Sequence, residues 1–251
     1  MPSQVCRPLC TIISEHTMNN ISQKFKECFE IFATKCFDED IDIPHVCKIH
    51  DAFGGMNGEH HNCLGCNFAD SSNLILKFLK QYKELTDIQQ DFTIYILLLY
   101  LYVERFEQVF EIISLPQTYK DKHFKIFQRI RRWANFIKHP KSFILTHHPI
   151  YDFEQSGTSY ITDFPIKINE QFIDHYYSAE IDPAKKKDKN KDLYKKIHNK
   201  KDILVVFPDI VRMTENFSDA TNKFVDLILK NEVYKEILND ETTLETYFEN
   251  E

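Results

Sequence analysis

Two groups of residues in this chain have the types and spacing that chemistry requires. The first is Cys47-Lys-Ile-His50, followed after twelve residues by Cys63-Leu-Gly-Cys66. Two short knuckles let four donors converge on a tetrahedral ion, and thiolate with imidazole suits the borderline softness of Zn²⁺. Four of the five glycines (Gly54, Gly55, Gly58 and Gly65) lie between the first knuckle and the last cysteine, where tight turns around a metal favour residues without a side chain. His45, His60 and His61 are alternative ligands. A set of Cys47, His50, Cys63 and Cys66 fills all four positions and leaves none for water. No HExxH or HxE arrangement offers a general base beside it. The zinc is therefore expected to be structural, pinning a loop at about residues 40–70 that would otherwise be long for a compact domain.

The second group is Gln128-Arg129-Ile130-Arg131-Arg132-Trp133-Ala134-Asn135-Phe136-Ile137-Lys138-His139. Three of the six arginines fall within residues 129–132. At about 100° per residue, with Ile130 as origin, His123, Ile126, Phe127, Trp133, Ala134 and Ile137 fall within about 60° and form a buried stripe. Gln128, Arg132, Asn135 and His139 fall at about 140–200°, on the opposite side. Such a face can hold a phosphodiester. Arginine supplies a planar, permanently charged fork for phosphate oxygens, and histidine, with a reference pKa of about 6.5, can donate or accept a proton near neutrality. Asn135 can orient either partner or a ribose hydroxyl. Arg129, Arg131 and Lys138 are candidates for holding an RNA backbone.

The elements that must position these residues are mostly helical. Residues 17–36 place Ile21, Phe25, Cys28, Phe29, Phe32 and Cys36 on one stripe. A second helix carries Leu74, Ile75, Phe78, Leu79, Tyr82 and Leu85, with Ser71–Ser72 as its capping residues. Thr86 and Asp87 open a third, which runs to about Ser114 and is stopped by Pro116. It is apolar on nearly every side in its middle, as befits the central helix of a bundle. The fourth spans about Gln117 to His139, with Pro140 as its stop. After Pro140 the texture changes. Ser142–Ile150, Tyr160–Ile168 and Ile203–Phe207 read as strands, 185–201 as a lysine-rich loop, and 217–238 as helix. The expected fold is mainly α: a four-to-five-helix bundle over residues 1–141 with the zinc loop inserted, then a small α+β region over 142–251.

A bundle of this kind with Arg, six residues, then His near the end of its last helix resembles the HEPN superfamily. The stretch Arg132-Trp133-Ala134-Asn135-Phe136-Ile137-Lys138-His139 carries that resemblance, which covers roughly residues 15–141. It implies a homodimer in which Arg and His from facing helices form a metal-independent endoribonuclease site, often in toxins or antiphage defence effectors restrained by an antitoxin or sensor protein. It further implies that Arg132 stabilises the phosphorane, that His139 takes part in proton transfer, and that the ribose 2′-hydroxyl attacks. The family usually has a polar residue directly after the Arg. Here Trp133 stands there, on the buried edge, and Asn135 is the polar residue on the correct face. Domains of this family that bind without catalysis also exist, so a binding module for protein or nucleic acid is the alternative.

Composition bounds these readings. The chain has 251 residues, a formal net charge of −7, 21 Phe and 12 Tyr, which is globular material whose nucleic-acid surface must be local. The longest apolar run, Phe92 to Val103, is well short of the roughly 20 residues a bilayer requires. Seven cysteines and an N-terminus without a long apolar stretch point to a reducing, cytoplasmic setting. No Walker loop, GxGxxG, GxSxG or kinase signature is present. His147 and His148 read as part of a turn before Pro149, and the lysines of 185–201 as a solvated loop. Asp91, Glu104 and Glu107 find no second acidic helix with which to build a di-metal site.

Overall fold

The computed structural model describes residues 64–81, 87–138, 150–154, 166–178 and 203–239. Among these are seven helices and three strands. In chain order they are α1 (Leu64–Gln81), α2 (Ile88–Ile112), α3 (Gln117–His123), α4 (Lys125–Lys138), β1 (Ile150–Phe153), β2 (Ile166–Ile168), α5 (Glu170–Ser178), β3 (Ile203–Phe207), α6 (Ile210–Leu229) and α7 (Glu232–Asn239). The described residues are thus mainly helical, with a small sheet.

The central helix α2 begins where its sequence says it should. Asp87 has extended backbone angles and its carboxylate accepts from the Gln90 N–H at 3.0 Å, satisfying one of the donors that a helix start leaves open. At the other end Ser114 turns into the left-handed region, with φ of 52°. The Ser114 and Leu115 N–H groups then return to the carbonyls of Glu111 and Phe110, closing the helix just ahead of Pro116. Phe92, Ile96, Leu99, Val103, Phe106 and Phe110 are all buried. The opposite side of α2 is not covered as the composition suggested, because Ile94 and Leu101 remain 43% and 52% exposed.

The fourth helix differs from the single rod read from the sequence. It is broken at Phe124, whose backbone leaves helical geometry (φ −123°, ψ 32°) while its ring packs against Phe110 at 4.9 Å and Phe127 at 5.4 Å. Burial of one aromatic residue, with no Gly or Pro nearby, overrides local propensity here. Asp121 accepts from Gln117 at 2.8 Å and from Gln128 at 2.5 Å, linking α3 to α4 across the break. Ser71–Ser72 also differ from expectation: they lie inside α1, which is already helical at Leu64, so the last residues assigned to the zinc loop belong to a helix.

The sheet is entirely parallel, in the order β1-β3-β2, with Ile150 opposite Leu204 and Ile166 opposite Ile203. Central β3 (Ile-Leu-Val-Val-Phe) is buried along nearly its whole length, as the middle strand of a parallel sheet covered on both faces must be. Strand β1 begins at Ile150, the last residue of the predicted 142–150 stretch, and β2 coincides with the end of 160–168; residues 142–149 and 160–165 lie outside the described residues. Helix α6 starts at Ile210 rather than 217, capped by Asp209, whose carboxylate accepts from Val211 N–H at 2.8 Å. The helix read over 217–238 is interrupted at Lys230–Asn231, where α6 ends and α7 follows. Helix α5 is not among the helices predicted above.

Elements from both sides of position 141 share one buried cluster. Phe207 of β3 stacks on Phe92 of α2 at 4.2 Å and meets Trp133 of α4 edge-on at 5.7 Å. Phe217 and Phe224 of α6 reach Tyr102 and Phe106 of α2 at 5.3 and 4.4 Å. The Tyr95 and Thr214 hydroxyls hydrogen-bond inside this interface. Thr214, Ser218 and Thr221 donate to the carbonyls four residues earlier, so small polar residues can face the core with their hydroxyls satisfied. Among the described residues no helix is long and apolar enough to cross a membrane.

Candidate functional site

Helix α4 carries the arginine-rich group, and its inward face is fixed as the periodicity demands. Ile126, Phe127, Ile130, Trp133, Ala134 and Phe136 are buried, and Ile137 is half-buried against the same cluster. His123 falls outside this helix, on α3, and is half-buried beside Tyr119 at 4.3 Å. Trp133, the residue after Arg132, is completely enclosed between Phe92, Phe136 and Phe207 and so anchors the helix. That anchoring sets the rotation of α4 and directs Gln128, Arg132 and Asn135 to its other side, where all three are half-buried.

The polar side of α4 is partly covered by α5. Arg132 Nη1 donates to Asp174 Oδ1 at 2.8 Å, and Arg129 Nε pairs with Glu170 Oε1. The two arginines are three residues apart on α4 and the two carboxylates four apart on α5, so one helical turn of cations faces one turn of anions. The Arg132–Asp174 pair remains open at the edge, with about a third of the Arg132 side chain and 44% of that of Asp174 exposed, whereas the Glu170 oxygen that meets Arg129 is buried. Burial lowers the pKa of the Arg129 guanidinium, and the nearby charges of Arg212 and Arg132 act in the same direction. Asp174 and Glu154 oppose the shift. Three arginines and three carboxylates from α4, α5, α6 and the end of β1 therefore share one electrostatic neighbourhood.

The remaining candidates on α4 divide. Arg131 is exposed, and Lys138 places its ammonium 3.6 Å from the centre of the Tyr100 ring on α2, a cation–π contact that holds the end of the helix. His139 lies outside the described residues, as do Cys47, His50 and Cys63 of the zinc set; Cys66 falls within α1. His147, His148 and the lysines of 185–201 are also outside them. Among the described residues no group of three or more His, Cys, Asp or Glu could hold a metal ion.

Chemically, the described part of the site is an arginine face with internal counter-ions. Its guanidinium groups can bind phosphate oxygens, and Asn135 can donate or accept one turn from Arg132. The sequence reading missed Glu170, Asp174 and Arg212. A signal for α5 existed. Asn169 caps it, accepting from Phe172 N–H at 3.0 Å, and Phe172, Ile173, Tyr176 and Tyr177 recur at helical spacing. Comparison of the chain with protein-family models, curated proteins and solved structures finds no match in any of the three.

Proposed function

We propose that this chain is a metal-independent endoribonuclease of HEPN type, acting in cell defence or as a toxin. The observation that carries the reading is the placement of Arg132 and Asn135 together on one half-buried side of α4, opposite the buried stripe of Ile126, Ile130 and Ala134. Arg132 would bind the scissile phosphate and stabilise its added charge in the transition state. His139, directly after the last described residue of α4, would move the proton. The ribose 2′-oxygen attacks phosphorus, the bond to the 5′-oxygen breaks, and the products carry a 2′,3′-cyclic phosphate and a 5′-hydroxyl. Arg129, Arg131 and Lys138 would hold neighbouring phosphates, and a homodimer would bring two such faces together. Cys47, His50, Cys63 and Cys66 would hold a zinc ion that stabilises the fold and takes no part in the reaction.

A second reading, a binding module without catalysis, is favoured by one observation: the Arg132–Asp174 pair makes the motif arginine part of an internal contact. A single assay separates the two. An RNA with one 2′-deoxy position should be cut by the nuclease everywhere except at that position, and Arg132→Ala should abolish cutting at all others. Protein that is folded and leaves every such RNA intact belongs to the second reading.

A further inference from the structure

We infer that α5 is a built-in competitor of the phosphodiester backbone: Glu170 and Asp174 occupy the arginines of α4 and set how tightly RNA can bind there. The inference rests on the reading of α4 as an RNA-facing surface and adds its regulation.

The match between the two helices is the first ground. A carboxylate presents two acceptor oxygens to a guanidinium much as a phosphate does, so Arg129 and Arg132 are engaged by the chemical group that a nucleic acid would offer. Two carboxylates one turn apart, each meeting its own arginine, imitate two anionic sites in a row. The second ground is accessibility. The Arg132–Asp174 contact is half-open to solvent, so a phosphate can reach the guanidinium from outside. The third is that α5 itself is anchored: Ile173 is 1% exposed within the core, between Phe172 and Asp174 in sequence. Exchange of carboxylate for phosphate at Arg132 thus needs only side-chain rotation of Asp174, with the helix held in place. While the carboxylates stay, a phosphate approaching Arg132 or Arg129 meets like charge within a few ångströms, which weakens binding. Arg212, exposed on the first turn of α6, extends the same neighbourhood on the cationic side.

A competing Asp174 and an Asp174 that merely positions Arg132 have opposite effects on RNA binding. Removing a positioning carboxylate should weaken RNA binding; removing a competitor should strengthen it. The experiment is a binding titration of the full chain with a fluorescent 2′-O-methyl oligouridylate, whose blocked 2′-hydroxyls separate binding from cleavage. Wild type is compared with Glu170→Gln/Asp174→Asn, each checked for folding by far-UV circular dichroism. The expected result is tighter binding by the double variant, about threefold to thirtyfold at low salt for one half-exposed and one more buried pair. The salt dependence should also steepen, by about 0.7 in the log–log slope for each phosphate newly engaged on a single strand. Equal binding by both proteins overturns the competitor role and leaves the RNA-facing reading standing. Weaker binding by the variant assigns Asp174 and Glu170 to positioning instead. No binding by either protein overturns both the inference and the RNA-facing reading. If the double variant does not fold, Asp174→Asn alone, at the more exposed pair, tests the same sign.

Discussion

Phe207→Ala is the perturbation that most sharply probes how the helices and the sheet form one body. Phe207 is 2% exposed, stacks on Phe92 at 4.2 Å and on Tyr151 at 5.5 Å, and meets Trp133 edge-on at 5.7 Å. Truncating a buried Phe costs about 3–5 kcal/mol through lost transfer energy and the cavity left behind. Against a total stability of about 5–15 kcal/mol for a domain, that is a large fraction. Phe92→Ala should cost a similar amount, and the two together less than their sum, because the stacked pair contributes about 0.5–1.5 kcal/mol that can be lost only once. The assay is urea unfolding followed by both tryptophan fluorescence and far-UV circular dichroism. Trp133 is the chain's single tryptophan, and it touches both rings. Both probes should report one transition, displaced together by the substitution. A loss below about 1 kcal/mol, or a Trp133 transition left in place while a separate phase moves, would refute a shared core.

Other expectations follow from single sites. Burial, with the charge of Asp87 adding to it, pushes the Tyr151 phenol up to about 12 from its ordinary 10. Because the folded value exceeds the unfolded one, the stability it contributes is present below pH 10 and is lost as pH rises through the 10–12 window. Tyr151→Phe should remove much of that alkaline loss, about 1 kcal/mol once solvent screening of the half-buried phenol is allowed for, measured by urea melts across the window. Asp209→Ala should cost about 1 kcal/mol in the same melts, because it removes the acceptor for the Val211 N–H at the start of α6; no loss would contradict the cap. Purified protein should contain about one zinc per chain by elemental analysis, and Cys63→Ser should lower its melting temperature. Zinc-free protein that is fully folded would rule out the metal site.

Much of the helical part was legible because its signals are local. The cap at Asp87 and the stop before Pro116 bound α2 to within a residue or two, and the buried stripe of α4 follows from the spacing of Ile126, Ile130, Trp133 and Ala134. Strand β3 was legible because both its faces are covered, which leaves an uninterrupted apolar run. What failed was set by tertiary contacts. Nothing local marks Phe124 as a break; the ring's place between Phe110 and Phe127 decides it. The β1-β3-β2 order and parallel register join segments up to about fifty residues apart, which no window of sequence reports. Helix α5 was lost among aromatic residues that also suit a strand. With it went Glu170 and Asp174, so the arginine face looked open in sequence when in the fold it is partly neutralised.

The proposed RNA cleavage by the arginine face of α4 together with His139 is addressed directly by one comparison. Wild-type protein and His139→Ala are incubated with single-stranded RNA in EDTA, with circular dichroism in the same buffer confirming that both stay folded. Wild type is expected to leave 2′,3′-cyclic phosphate ends, and the variant to lose that cleavage. Folded wild-type protein that leaves the RNA intact, or a His139→Ala variant that cuts as well as wild type, would contradict the proposal.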